Sequence, residues 1–377
     1  MHKTDRDLFA PLSLGGLTLR NRIAMAPMTT WSANDDGTVS DAEDIYYRLR
    51  VKGVGLVITG CTHVQANGVG FTGEFAACDD RFGPSLKKLA EAAKSGGAPA
   101  ILQIFHAGVK AIPDLVSEVV AASAVKGDSS PFVASVIPRA LTESEIEEVI
   151  HAFGQATRRA IEAGFDGVEL HGAHGFLIQN FVSPHFNRRT DSWGGTLVNR
   201  MRFPLAIVAE VRRVIAEYAD RPFVLGYRIS VDEPNDGGLR IADSLVLVNH
   251  LIEGGIDYVH ASLTDALTAT PIGKADGPTV VRILVDHIDG RLPLIAAGQL
   301  RTRAQAECAI NNGLSLVAIG QGLVLNPNWV ERARQEPESI RLDLDPSDVE
   351  RLKIPEKLWT VISTMTGWFR VRTSTPA

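Results

Sequence analysis

Residues 163–191 read A-G-F-D-G-V-E-L-H-G-A-H-G-F-L-I-Q-N-F-V-S-P-H-F-N-R-R-T-D. The first part has a repeated shape: a helix stop at Ala163-Gly164, a short polar turn, then an apolar strand, Val168–Leu170. The same order recurs in G-G-I-D-Y-V-H-A at 254–261 and in N-G-L-S-L-V-A-I at 312–319. This is weak internal repetition of one βα unit.

Working outward, eight strand-length apolar runs can be placed: Ile23–Met28, Leu56–Thr59, Ala100–Phe105, Val168–Leu170, Phe223–Ile229, Tyr258–Ala261, Leu294–Ala297 and Leu316–Ile319. Most are apolar throughout, as strands covered on both faces are. Helical patterns separate them. Thr142 and Glu145 have the spacing of a capping box. They open a helix with Ile146, Val149, Ile150, Phe153, Ala160 and Ile161 on one face, and Gly164 ends it. Asp243 and Thr302 are expected to cap two later helices. The pattern predicts an α/β fold, a (β/α)8 TIM barrel with a parallel eight-stranded sheet, whose functional residues lie at the C-terminal strand ends. An open doubly wound sheet would carry a glycine fingerprint after its first strand, where A-P-M-T-T stands instead. Residues 106–140 form a long insertion after strand 3, read as a lid or a hairpin. Residues 338–377 read as a C-terminal helix and tail, and 1–377 as a single domain.

The chain has 377 residues, 22% charged and 45% hydrophobic, with a formal charge of −6. Those are the proportions of an ordinary globular protein. The acidic balance argues against nucleic acid or a membrane surface as partner. No apolar run reaches the roughly 18 residues of a membrane span. The start lacks the apolar core of a secretory signal. Cys61, Cys78 and Cys308 are too scattered for a metal site, so no metal is expected and a reducing cytoplasm is.

The strand ends carry the chemistry. Thr29 can hydrogen-bond a ligand, and Trp31 can wall a pocket or simply fill a turn. Gly60 beside Cys61 permits close approach by a flat molecule. Gln103 is a polar residue at the end of an apolar strand and needs a partner, either a heterocycle edge or a neighbouring side chain. His171 and His174 can aim two donors at one oxygen and so polarise a carbonyl or nitro group. Arg228 can stabilise an anionic ring. Gly298 and Gly320 expose backbone N–H groups where barrels often hold phosphate. Together these describe a phosphorylated planar ligand beneath a small-molecule pocket. Flavin mononucleotide (FMN) fits that description, and so do other phosphorylated cofactors.

Longer stretches sharpen this. L-F-A-P-L-S-L-G-G-L-T-L-R-N-R-I-A-M-A-P-M at 8–28, H-G-A-H-G-F-L-I-Q-N-F-V-S-P-H-F-N-R-R-T-D-S-W-G-G at 171–195, Asn199-Arg200 and N-P-N-W at 326–329 are similar to the Old Yellow Enzyme family of FMN-dependent oxidoreductases. R-I-S-V-D-E-P at 228–234 and D-Y-V-H-A-S-L at 257–263 resemble its bacterial NADH-dependent flavin oxidoreductase branch. The resemblance implies FMN as cofactor and NADH or NADPH as reductant. The acceptor it implies is a small molecule: an activated alkene, quinone or nitro compound. Ala26, Pro27, Met28, Thr29 and Cys61 would line the ring, and Gln103 and Arg228 would bind its pyrimidine side. Gly298, Gly320 and Gln321 would surround the phosphate. His171 and His174 would hold the acceptor, with Trp31 and Phe176 beside it. A homodimer or homotetramer is left open, with Trp368, Phe369 and Arg370 reaching a neighbour's pocket.

Two positions depart from the family. Its usual proton donor is a tyrosine where this chain has Phe176, which favours an isomerase, dehydrogenase or N-demethylase as the alternative, unless Tyr46, Tyr47 or solvent substitutes. Its phosphate-binding arginine is replaced by Gln321, with Arg301 as the nearest compensating cation. Val109 also replaces a common arginine, followed by Lys110. A non-redox phosphate-ligand-binding barrel is the remaining alternative.

Overall fold

The computed structural model describes residues 7–127 and 135–372. Parts of the expected insertion (128–134) and tail (373–377) lie outside the described residues.

Eight parallel strands form the barrel: β1 (Ile23–Met25), β2 (Leu56–Ile58), β3 (Ala100–Phe105), β4 (Gly167–Gly172), β5 (Val224–Ile229), β6 (Tyr258–Ser262), β7 (Leu294–Ala297) and β8 (Leu316–Ile319). Each pairs with its successor, and β8 pairs with β1, so no edge remains. Between them run α1 (Asp41–Arg50), α2 (Gly83–Lys94), α3 (Glu143–Glu162), α4 (Leu197–Tyr218), α5 (Ile241–Glu253), α6 (Val280–Ile288) and α7 (Arg303–Asn311). Trp329–Gln335 (α8) follows β8, and Glu356–Thr364 (α9) begins the final wrap. The predicted barrel is therefore the observed one.

The helix starts follow from side-chain chemistry. Thr142 with Glu145, and Thr302 with Gln305, form reciprocal capping boxes. Asp243 does not cap α5. Arg240 holds the cap position without a side-chain bond, and Asp243 sits inside the first turn, where its charge complements the helix dipole. Leu177–Val182 is a short helix, although its sequence shows no helical period. All six residues are buried, so there is no polar face to reveal a period.

The strands alternate sides. Ala24, Leu56, Ile58, Ile101, Val224, Tyr258, Ile295 and Leu316 share an interior cluster with Leu14 and Leu19. Those two leucines come from an antiparallel hairpin, Leu12–Leu14 with Leu17–Leu19. It turns through Gly15 and Gly16 at φ +52° and +87°, a region that glycine enters without steric cost. The hairpin plugs the barrel below, which leaves the C-terminal strand ends as the open mouth. The insertion after β3 is no antiparallel hairpin: Val120–Ala121 pairs in parallel with Arg139–Ala140. After α9 the chain doubles back, and Val371 bridges Leu344. Among the described residues, no helix is long and apolar enough to cross a membrane.

Candidate active site

A cavity of about 310 Å³ opens at the barrel mouth. Ala26, Pro27, Met28 and Thr29 leave β1 to form one wall, with Trp31 beyond them and Cys61 following β2. His171, His174 and Phe176 leave β4, and Arg228 rises from β5. Gly298 follows β7, while Gly320 and Gln321 follow β8. Of the expected site residues, only Gln103 is missing from this wall.

Gln103 is fully buried one strand layer lower, in register with Glu169, two residues before His171. Its Nε2 donates to Glu169 Oε1 at 2.7 Å, and its Oε1 accepts from the Cys61 thiol at 3.4 Å. A carboxylate only accepts, so the amide orientation is fixed. The other Glu169 oxygen lies 2.9 Å from His260 Nδ1, with both side chains at 0% exposure. Burial alone would raise the Glu169 pKa. The neighbouring His260, then Arg228 and Gln103, hold it below the ordinary carboxylate value instead. Burial lowers His260 in turn. The pair is therefore a carboxylate with a neutral imidazole donating from Nδ1. Glu169 and His260 escaped the sequence reading. They were visible as polar residues two places from His171 and from Tyr258, on the inward face of strands read as apolar.

Above this floor the two site histidines lie edge to face, with ring centroids 4.8 Å apart. The N–H of Ala173 donates to His171 Nδ1 at 3.3 Å, so His171 carries its proton on Nε2. That Nε2 is buried and lacks a partner. Arg228 Nη2 donates to Ser262 Oγ at 3.0 Å, leaving the serine hydroxyl to donate to His174 Nε2 at 2.7 Å. His174 then offers Nδ1–H. The backbone at His174 is left-handed, with φ +61°, and is held on both sides. Its N–H donates to Ser230 Oγ at 3.1 Å, and its carbonyl accepts from Lys110 Nζ at 2.6 Å. Desolvation, then nearby positive charge including Arg228, keeps both imidazoles well below the usual histidine pKa. His174 is exposed to the cleft, whereas His171 is buried. Both are neutral donors at physiological pH.

Phe176 packs edge-on against His171 at 4.8 Å and against Phe105 at 4.9 Å. Among the described residues, no tyrosine lines this cavity. Tyr46 and Tyr47 are both buried outside the cavity wall. The Tyr47 hydroxyl accepts from the Gly60 N–H at 2.9 Å, and burial pushes Tyr46 up to about 12. Burial likewise pushes the Cys61 thiol up to about 12, so it is no acid for this site.

At the far end, Gln321 Nε2 donates to the Trp368 carbonyl at 2.6 Å. Trp368 lines this same chain's cavity and stands edge-on to Trp31 at 5.8 Å. Arg301 also lines the cavity, its Nε is buried without a partner, and the charge of Arg370 bears on it.

The residues fit a flavin. Arg228 Nε and His171 Nε2 are orphaned polar atoms in the wall. A Cβ at Gly320 would lie 2.9 Å from Met28 Sδ, so only glycine leaves the wall open there. The Arg301 side chain lines the cavity with Gly298 and Gly320, and no carboxylate lines it among the described residues.

Fold and site together define a flavin-binding barrel oxidoreductase. The chain belongs to the NADH:flavin oxidoreductase / NADH oxidase family, whose model matches residues 7–339. It is 43% identical over 371 residues to the probable NADH-dependent flavin oxidoreductase YqiG of Bacillus subtilis, covering 98% of this chain and 99% of that one. It is 37% identical over 358 residues to the NADH:fumarate oxidoreductase of Klebsiella pneumoniae, covering 93% of this chain but only 38% of that larger protein. Among solved structures, morphinone reductase superposes with a TM-score of 0.76 at 29% identity, covering 92% of this chain and 94% of that one. The protein is thus an NAD(P)H-dependent flavin oxidoreductase of the Old Yellow Enzyme type.

Proposed function

We propose that the flavin is FMN, that NADH is the physiological reductant, and that the acceptor is a small molecule bearing an electron-withdrawing oxygen, an activated alkene foremost. The observation that carries this reading is the orphaned Nε2–H of His171 beside the Nδ1–H of His174. FMN supplies the hydride-carrying chemistry, and the protein binds, orients and polarises. Arg228, held by Ser262 Oγ and within the field of the Glu169 carboxylate, presents a fixed positive charge at the ring-binding wall. Arg301 and Arg370 supply the phosphate-side charge that Gln321 lacks. The histidine pair draws charge onto the acceptor oxygen while staying neutral, so it stabilises that oxygen without transferring a proton. NADH is chosen because relatives 43% and 37% identical to this chain carry it in their names.

A second reading rests on Phe176. With no acid at that position, a proton for the acceptor comes from solvent, and a reaction without net reduction, isomerisation or desaturation, competes.

The test is anaerobic stopped-flow on FMN-reconstituted protein. Flavin bleaching by NADH and NADPH is followed first, then reoxidation by enones, quinones and nitroalkenes. Reoxidation of the reduced protein by at least one acceptor, well above the buffer rate, is expected. Colourless protein that cannot take up FMN would overturn the first reading. Product formed without matching NADH consumption would favour the second.

A further inference from the structure

Beside the barrel mouth lies a second cavity, of about 460 Å³, that the flavin chemistry does not use. Its wall includes His63, Glu74 and Cys78, and Phe71 separates it from the first cavity. We propose that Cys78 is a nucleophilic modification site for electron-poor alkenes, set up by His63 and Glu74 in this cavity. The proposal needs no cofactor and is independent of the reading above.

The sequence brings the three groups together through a small sheet at the mouth. Thr62–His63 pairs with Ile104–Phe105 on one side and with Phe75–Ala76 on the other. The Ala77 N–H then donates to the His63 carbonyl at 2.9 Å, which holds the next residue, Cys78, alongside the imidazole. His63 Nδ1 lies 2.7 Å from Glu74 Oε1. The other Glu74 oxygen accepts the backbone N–H groups of Gly70 at 3.2 Å and Phe71 at 2.9 Å. The carboxylate therefore cannot swing, and it fixes the ring. The Cys78 side chain lines the same cavity wall as His63 and Glu74. Nucleophile, base and the base's orienter thus share one cavity wall, the set of groups that activates a thiol. Cys78 is part-exposed to the cavity, whereas His63 and Glu74 are buried.

The surrounding charges support a protonated ring facing the sulfur. Burial acts to lower the His63 pKa, but Cys78 and Glu74 outweigh it and push it up to about 9. His106 faces it from the end of β3 and is pushed down to about 3 by burial, then by the His63 charge, so it stays neutral. Arg81, Asp35, Asp36 and Lys357 complete the charged part of the rim.

The step balances without an oxidant. The sulfur electron pair forms a bond to the β-carbon of the alkene. The π pair moves to the α-carbon, which takes the proton held on His63. The products are a thioether and a neutral imidazole. A soft sulfur nucleophile among apolar walls such as Val69, Phe82 and Leu115 suits an electron-poor alkene better than a charged electrophile.

The same chain contains its own controls: Cys308 is exposed and Cys61 is buried. The holoprotein is treated with limiting N-ethylmaleimide at neutral pH, and each cysteine peptide is quantified by mass spectrometry over time. Cys78 is expected to label at least tenfold faster than Cys308, with Cys61 unmodified. Glu74→Gln and His63→Asn, checked for native circular dichroism, are expected to bring Cys78 down to the Cys308 rate. Labelling of wild-type Cys78 no faster than Cys308 overturns the proposal, even if neither variant folds. A fast Cys78 in both folded variants overturns the part assigned to His63 and Glu74.

Discussion

Gln321 Nε2 donates to the backbone carbonyl of Trp368, 47 residues further along, at 2.6 Å. The residue that replaces the family's phosphate-binding arginine is thus committed to holding the C-terminal segment over the site. Removing that bond in Gln321→Ala costs about 0.5–1.5 kcal/mol, up to roughly tenfold in an affinity that depends on the Trp368 wall. Titration of apoprotein with FMN and with riboflavin separates two roles. Both ligands are expected to weaken by a similar factor, because the amide serves the wall. Selective loss of FMN alone would show Gln321 acting on phosphate instead.

Phe176, where the family resemblance implies a tyrosine, packs 4.8 Å from His171. Phe176→Tyr adds one hydroxyl at the cavity wall. A positioned general acid contributes about 10²–10⁴-fold, so enone-dependent reoxidation in stopped-flow is expected to rise by a factor within that range. Bleaching by NADH is expected to stay unchanged, because it needs no proton from this position. Equal change in both half-reactions would point to altered packing.

The barrel was legible because its strands are covered on both faces and its helices are punctuated by Thr142, Gly164 and Thr302. The cavity wall was legible because its residues sit at strand ends, where the pattern breaks. The layer below was not. Gln103, Glu169 and His260 meet only when strands distant in sequence close around one axis. Strand alternation marks each as inward but names no partner. Asp243 misled because a cap residue and a first-turn acid look alike without backbone angles. That Trp368 lines this chain's own cavity was not legible, because nothing in a tail sequence says which pocket it meets.

Glu169 is the counter-charge for Arg228 and the acceptor for both Gln103 and His260. Glu169→Ala leaves the buried donors of Gln103 and His260 without their acceptor. A buried donor left unpaired typically costs about 1–3 kcal/mol. A loss of that order is expected in urea unfolding of the apoprotein. Glu169→Gln keeps an acceptor but removes the charge, so it is expected to fall between wild type and the alanine variant. In the holoprotein it should also shift the flavin midpoint potential, through the uncompensated Arg228. An unchanged potential would mean that Arg228 does not sense this carboxylate.

Glu43 gives the fold a pH dependence of its own. It is 0% exposed in α1 and accepts a hydrogen bond from Thr30 Oγ1, the residue that follows Thr29 of the cavity wall. Burial, outweighing that bond and Arg50, pushes its pKa from 4.5 to about 7. Between these values the folded state holds a proton that the unfolded chain has lost. Stability therefore falls as pH rises through that window, by up to about 1.4 kcal/mol per unit, and levels off above the folded value. Relative to wild type, Glu43→Gln lacks this term while keeping an acceptor for Thr30. Urea unfolding of both proteins from pH 5 to pH 8 is expected to show the variant gaining on wild type as pH rises, by about 3 kcal/mol across the window. Parallel stability curves would mean that Glu43 ionises in the folded state as readily as in the unfolded chain.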